Sequence, residues 1–135
     1  MGAAAFRAAA LALACAACTS VVADARTFDG TSWRVAAIDG RATPAAGDYR
    51  IEFRNGEITG RFGCNGWGGA YSVAGDTITA GRIIATQMAC SDPAASFESE
   101  GFAILRQPMH LAWAAGETLT LANGAGSIRL KQRPH

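Results

Sequence analysis

The sequence predicts an α+β domain, in which a small, strongly bent antiparallel sheet or open barrel of about seven to nine strands holds a single helix. Several segments alternate polar and apolar residues with a period of two and are separated by turn residues, the pattern of half-buried strands. One segment among them instead repeats apolar residues at helical spacing. The order of strands, one helix and more strands indicates that the sheet curls around the helix or is plugged by it.

The start of the chain has the composition of a secretory signal peptide. An early cation, Arg7, precedes an apolar run over residues 8–17, which is too short to span a bilayer. Small residues before Cys18 favour acylation of that cysteine, although another cysteine stands where leucine is usual; cleavage after Ala25 and a buried N-terminal helix are the alternatives. The expected divisions are a signal peptide over residues 1–17, a tether over 18–29 and a folded domain over 30–132.

The charge balance argues against two classes of partner. Of the 12 basic and 11 acidic residues, only Arg7 is lost with the leader, so the mature chain has a formal net charge of zero. A nucleic-acid binder needs a basic stripe, and a membrane-binding polybasic segment needs clustered cations. We therefore expect neither nucleic acid nor a polybasic membrane patch. The remaining length fits one compact domain.

The first predicted strand and hairpin follow the leader. Residues 31–40 predict a strand whose inward residues are Trp33, Val35 and Ala37. In the following hairpin, Asn55-Gly56 suits a two-residue loop because both positions tolerate positive φ. The resulting pairs are Tyr49–Phe62, Ile51–Gly60 and Phe53–Ile58 on an apolar face, and Glu52–Thr59 and Arg54–Glu57 on a polar face. Since each face is uniform, the register is self-consistent.

Three further hairpins pass the same test. Their loops are Gly75-Asp76, the three-residue Ala114-Ala115-Gly116 with its last glycine at the left-handed bulge position, and Gly124-Ala125. The expected pairs are Val73–Ile78 and Tyr71–Ala80, then Leu111–Leu119 and Met109–Leu121, then Leu121–Ile128 and Leu119–Leu130.

The helix is predicted between these hairpins. Asp92 is a candidate N-cap, Pro93 suits the first helical position and Pro108 ends the run. The residues at helical spacing are Phe97, Gly101, Ile104 and Leu105. Since glycine is a poor helix former, Gly101 indicates close packing against the sheet.

Two cysteines, Cys64 and Cys90, stay with the folded domain. In an oxidising compartment an isolated pair favours a disulfide. The alternation of side chains along a strand also predicts that both cysteines point inward. Cys64 lies on the same face as Phe62, and Cys90 on the same face as Ile84 and Met88. Reduced buried cysteines, or their use in metal binding or catalysis, remain as alternatives.

The residues that catalysis or metal binding would need are sparse. A thiolate nucleophile needs a base, and the two histidines are His110, on the outward parity of its strand, and the last residue, His135. A zinc site needs four ligands, which two cysteines without nearby histidines do not supply. We expect no catalytic residue, no metal and no cofactor.

Four other side chains have simple structural explanations. Asn65 suits a left-handed conformation in its glycine-rich bend, and Trp67 is a candidate exposed contact or a lid on the barrel mouth. Glu98 and Glu100 lie two residues apart and face different sides of the helix, so they do not form a carboxylate pair. Glu100 is expected to be solvated and paired with an arginine.

The motifs together resemble the META domain (HslJ-like) family over about residues 30–132. The resemblance is carried by "GRFGCNGWGGAY", "ATQMAC", "FESEGFAIL" and "LTL". Its most specific marks are Gly63-Cys64-Asn65 and Thr86-Gln87-Met88-Ala89-Cys90, with Glu100 matching the family's helix glutamate. The double glycine at Gly68-Gly69 and the imperfect lipobox depart from the family's pattern.

The resemblance implies an exported protein, often a lipoprotein, with a small barrel-like fold and no agreed reaction. Bacterial members are associated with heat shock and novobiocin resistance, and protozoan relatives with virulence and motility. We expect a monomeric, non-enzymatic envelope protein, on the periplasmic face of the outer membrane if Cys18 is acylated and otherwise soluble in the periplasm. It would bind a hydrophobic ligand on the concave apolar face of its sheet, with Trp67, Trp33 or Trp113 as contacts. The alternatives are a module that assembles another envelope protein, and a thiol-redox protein using Cys64 and Cys90.

Overall fold

The structure, a computed structural model, describes residues 25–134. The predicted signal peptide, Cys18 and His135 lie outside the described residues. The elements are α1 (Ala25–Phe28), β1 (Thr31–Ile38), β2 (Arg41–Ala42), β3 (Tyr49–Arg54), β4 (Glu57–Phe62), β5 (Gly66–Ala74), β6 (Thr77–Ala80), β7 (Ile84–Ala85), α2 (Ala94–Leu105), β8 (Met109–Ala114), β9 (Thr118–Asn123) and β10 (Gly126–Gln132). Among these residues no helix has the length and apolar character needed to cross a bilayer.

The sheet closes into a barrel. Eight antiparallel strands follow the order β1-β3-β4-β5-β6-β8-β9-β10, and β10 pairs with β1 to complete the ring. The two-residue strands β2 and β7 are additions that pair with β1 and β5. The predicted α+β class is confirmed, with a closed barrel and with α2 as the one long helix among residues 25–134.

Hairpin registers follow the predicted turn chemistry in three of four cases. Every predicted pair of β3 with β4, of β5 with β6, and of β9 with β10 is present. The β8–β9 register was predicted wrongly by two residues, because Leu111 pairs with Leu121 and Trp113 with Leu119. The loop here is residues 115–117, since both Gly116 and Glu117 adopt positive φ. A shift of two keeps each side chain on its predicted face.

Helix α2 packs on β4 through a glycine. A Cβ at Gly101 would lie 2.5 Å from a ring carbon of Phe62, so this position admits only hydrogen, and the predicted close packing is confirmed. The N-cap residue is Pro93 and not the predicted Asp92. Asp92 instead accepts hydrogen bonds from the backbone N–H and the hydroxyl of Ser96, one turn into the helix.

The barrel interior is filled with side chains, including the predicted inward residues of β1. The largest fully buried side chains are Trp33, Phe28, Phe53, Phe62, Ile38, Ile51, Ile58, Ile78, Ile104, Leu105, Met109 and Leu119. The presence of Phe28 corrects the predicted tether over residues 18–29, because its ring lies 5.0 Å from that of Phe53, inside the core. The folded domain therefore begins before residue 30.

Candidate functional site

The disulfide joins the two motifs that the sequence analysis singled out. Cys64 follows β4, and Cys90 lies in the irregular segment that leads to α2. Their Sγ atoms are bonded at 2.01 Å, with the Cα atoms 6.1 Å apart, and both residues are half-buried. The bridge ties the segment between β7 and α2 to the end of the β3–β4 hairpin.

The strand parity used to orient Cys90 fails in that segment. Ile84 is 71% exposed and Met88 is 54% exposed, so neither points inward as predicted. The reason is local: β7 is only two residues long, and the chain from residue 86 to Pro93 has no strand periodicity. Cys90 is held by its bridge and by polar contacts.

Asn65 is the centre of those polar contacts. Its side-chain oxygen accepts hydrogen bonds from the Thr86 hydroxyl at 2.9 Å and from the Met88 backbone N–H at 2.8 Å. Its amide nitrogen donates to the Met88 carbonyl at 3.3 Å and lies 3.3 Å from Cys90 Sγ. Asn65 is buried, and it is not among the residues with positive φ, so the explanation of a left-handed turn residue was wrong. The side-chain amide of Asn65 therefore links the two family motifs, Gly63-Cys64-Asn65 and residues 86–90, by hydrogen bonds.

Glu98 completes this cluster from the helix. Its carboxylate accepts the backbone N–H of Asn65 at 3.1 Å and the side-chain amide of Asn65 at 3.0 Å. One of its oxygens also lies 3.4 Å from Cys90 Sγ. Glu98 is 8% exposed, so this carboxylate is stabilised by donors that the glycine-rich bend supplies. We call Asn65, Thr86, Met88, Cys90 and Glu98 the Asn65 cluster.

Glu100, the helix glutamate that the resemblance singled out, lies outside the Asn65 cluster. It forms a two-pronged ion pair with Arg41 of β2, at 2.9 and 2.8 Å. The Arg41 guanidinium also lies 4.4 Å above the ring of Phe97. The predicted pairing of Glu100 with an arginine is therefore confirmed, as is its orientation away from Glu98. Sequence reasoning missed Glu98, although its position eight residues after Cys90 placed it on the first two turns of the helix.

Gly63 is needed where the bend passes the core. Its φ of 91° is in the left-handed region, and a Cβ there would lie 2.5 Å from the hydroxyl oxygen of Tyr49. Burial raises the pKa of that tyrosine above its ordinary value. Arg61, which precedes the glycine, donates a hydrogen bond of 2.7 Å to the backbone carbonyl of Cys64. This bond fixes the backbone where the chain leaves the bend.

Two of the three candidate tryptophan contacts are buried. Trp33 is 1% exposed and Trp67 is 4% exposed, and Gly60 leaves room for the Trp67 ring beneath it. Trp67 therefore packs in the core and is not an exposed contact, although its indole nitrogen has no hydrogen-bond partner in the described chain. Trp113 is half-exposed and stacks on Phe28 at 5.8 Å. The inner face of the sheet is thus occupied by core packing and offers no concave binding surface.

A cleft of about 380 Å³ opens beside the Asn65 cluster. Ile83, Ala85 and Phe102 supply apolar walls, and Arg106 supplies a cation just beyond the end of α2. The other lining residues are Asn65, Thr86 and Gln87. An apolar surface beside one cation suits an amphiphile with an anionic head.

The chemistry available in the Asn65 cluster is limited by the bridge. Among residues 25–134, Cys64, Cys90 and Glu98 form a set whose ligand atoms lie within 4.8 Å of one another. Because both sulfurs are joined to each other, the oxidised protein offers no thiolate for a metal or a nucleophilic attack. His110 is exposed on β8, 3.4 Å from Asp76. In this state the cluster holds the fold together and contains no acid–base pair beside a nucleophile.

Comparisons with known proteins identify similar chains. The family model of the META domain matches residues 26–134. One solved NMR structure of a protein superimposes with a TM-score of 0.69 at 19% identity, over 79% of this chain and 92% of its own. An NMR structure of a protein from Burkholderia xenovorans superimposes with a TM-score of 0.68 at 21% identity, over 82% of this chain and 87% of its own. At these identities the likeness is one of fold. Among curated proteins, none matches the chain in sequence.

Proposed function

Because the chain belongs to the META domain family, we propose that it is an exported, lipid-anchored protein of the cell envelope that acts by binding and not by catalysis. Its role would lie in stress or drug tolerance. The observation that carries the proposal is the Asn65 cluster, in which the residues of both motifs are committed to a disulfide and to internal hydrogen bonds. A fold that depends on a disulfide suits an oxidising compartment.

Export and anchoring are supported by the leader sequence. Acylation at Cys18 would place the domain at a membrane surface, with residues 19–24 as the connection to α1. Replacing Cys18 by serine should move the protein from the membrane fraction to the soluble periplasmic fraction of fractionated cells. An unchanged distribution, or a protein that stays in the cytoplasm, would contradict the proposed anchor.

The binding site that we propose is the cleft beside the Asn65 cluster. Phe102 forms its wall and lies 6.4 Å from the ring of Trp67, so a ligand in the cleft would perturb tryptophan fluorescence. A suitable probe is anilinonaphthalene sulfonate, which combines apolar rings with one negative charge. Binding should be saturable, and Arg106→Glu should weaken it at least about fivefold, the effect of roughly 1 kcal/mol per charge. Arg54→Glu, at an exposed hairpin position, is the matched control.

Either of two results would remove the cleft as the binding site. One is a linear, unsaturable response to the probe. The other is equal weakening by Arg106→Glu and by the control, which would indicate a general effect of charge.

A partner-binding role is the alternative function, and exposed apolar residues favour it. Ile84 and Met88, which are next in sequence to residues that line the cleft, are 71% and 54% exposed. Crosslinking from position 88 in intact cells should capture a specific envelope protein if this role is correct. Capture of lipid alone would exclude it. The thiol-redox alternative predicts that mild reductant opens the Cys64–Cys90 bridge in the folded protein, whereas a structural bridge should resist.

A further inference from the structure

Four basic side chains lie side by side across the outer face of the barrel. Lys131 of β10 is paired with Arg34 of β1, Arg34 with Arg50 of β3, and Arg50 with Arg61 of β4. In each strand the flanking residues are buried or point inward, so these four side chains point away from the core. We call them the basic row.

The basic row is an arrangement that folding alone does not favour. Cations directly opposite each other on neighbouring strands repel and weaken the sheet. Two carboxylates neutralise part of one end: Asp48 pairs with Arg50 and lies 3.6 Å from Arg61, and Glu52 lies 3.6 Å from Arg50. Arg34 and Lys131 have no carboxylate within 4.0 Å among residues 25–134. At its Arg34 and Lys131 end, the row therefore presents positive charge that the described residues do not neutralise.

The surface beside the row has a second, apolar component. A shallow depression of about 430 Å³ is lined by Arg50, Arg61 and Thr59, and by Ile84 of β7. The Ile84 side chain is 71% exposed on the same face, next to these two cations. Cations beside a projecting aliphatic group match the boundary of a lipid bilayer, where phosphates lie next to acyl chains.

We propose that the basic row and Ile84 form a docking surface for an anionic phospholipid bilayer. The inference goes beyond the proposed function, because it requires neither acylation of Cys18 nor the cleft beside Asn65. Nucleic acid fits less well, since single strands need exposed aromatic rings for stacking and the one aromatic side chain at the depression, Trp67, is buried. Composition could not predict this surface, because its four cations come from distant parts of a chain whose charges cancel.

The test is co-sedimentation with vesicles, using the full chain with Cys18→Ser so that no lipid anchor contributes. Vesicles of phosphatidylcholine mixed with phosphatidylglycerol should bind the protein, and binding should weaken as salt is raised. Each cation near an anionic bilayer contributes about fivefold to partitioning, so Arg34→Gln with Lys131→Gln should reduce binding about 25-fold. The control, Arg54→Gln with Arg82→Gln, removes two exposed cations outside the row and should stay within about twofold of the parent.

Folding is controlled separately. The Arg34→Gln and Lys131→Gln variant should melt no lower than the parent, because it removes like charges in register. The variant with Arg34→Lys and Lys131→Arg should keep full binding.

Several results would overturn the proposal. They are equal binding to vesicles of phosphatidylcholine alone, equal losses in the row and control variants, displacement by inorganic phosphate at constant ionic strength, and tighter binding to a single-stranded oligonucleotide than to vesicles. A failure of acylation in cells would bear on the proposed anchor and leave the vesicle result untouched.

Discussion

Replacing Asn65 by aspartate tests whether the Asn65 cluster holds the two motifs together. The substitution keeps the shape of the side chain but exchanges its amide for a carboxyl group. In the native protein that amide donates to the Glu98 carboxylate at 3.0 Å. The variant would place two carboxylates at this distance in a buried position, where they repel strongly.

The cost has an upper bound because the pair can take up a proton. A carboxylic acid in an unfolded chain loses its proton near pH 4, so keeping one proton on the pair at pH 7 costs about 4 kcal/mol. The folded variant then binds more protons than its unfolded state, so its stability rises as pH falls. Between pH 7 and pH 5 the loss relative to the parent should shrink by about 2.7 kcal/mol, at roughly 1.36 kcal/mol per pH unit.

Urea unfolding of parent and variant at both pH values measures this difference. Asn55→Asp is the matched control, since Asn55 lies exposed in a hairpin turn whose positive φ aspartate tolerates. It should change the free energy of unfolding by less than about 0.5 kcal/mol at either pH. A loss for Asn65→Asp that is the same at pH 7 and pH 5 would refute the carboxylate contact, and a loss below about 1 kcal/mol at pH 7 would refute the structural role of the cluster.

Three other outcomes are expected. Changing both Cys64 and Cys90 to serine should lower the free energy of unfolding by about 3 to 4 kcal/mol, because the bridge spans 26 residues; a loss below about 1 kcal/mol in urea would contradict this. Gly101→Ala should cost about 1 to 3 kcal/mol, since its new Cβ would meet an aromatic ring at 2.5 Å. Thermal unfolding should show no such loss for Gly124→Ala, which has open space. The raised pKa of Tyr49 means that the unfolded chain ionises first, so stability should fall as pH rises above 10.0, and Tyr49→Phe should remove that part of the decline.

The barrel could be predicted from sequence where local chemistry decides the structure. The Asn55-Gly56 turn sets the β3–β4 register, because its positive φ values fix which residues face each other. The length of the β8–β9 loop was harder to predict, because its two adjacent residues with positive φ, Gly116 and Glu117, fit loops of more than one length. Alternation of apolar residues limited that error to a shift of two, which preserves the core.

The site was harder to predict because it is made by contacts between distant segments. The disulfide could be predicted from the number of cysteines and from the oxidising compartment. The role of Asn65, in contrast, depends on a carboxylate 33 residues later in the chain. Nothing in the local sequence pattern distinguishes Glu98 from Glu100. Glu98 is the buried one because it lies on the side of the helix that faces the bend at Asn65. Of the two interpretations of Trp67, the exposed contact was wrong: neighbouring glycines suggest exposure, whereas Gly60 on the adjacent strand β4 makes room for its ring.

The measurement that tests the central claim most directly is the intact mass of the protein purified from its native membranes and alkylated without reduction. An exported lipoprotein clamped by its bridge should give the mass of a chain that begins at acylated Cys18, with no alkyl group added. A chain that begins at Arg26 and carries an alkyl group on both Cys64 and Cys90 would contradict both the lipid anchor and the disulfide.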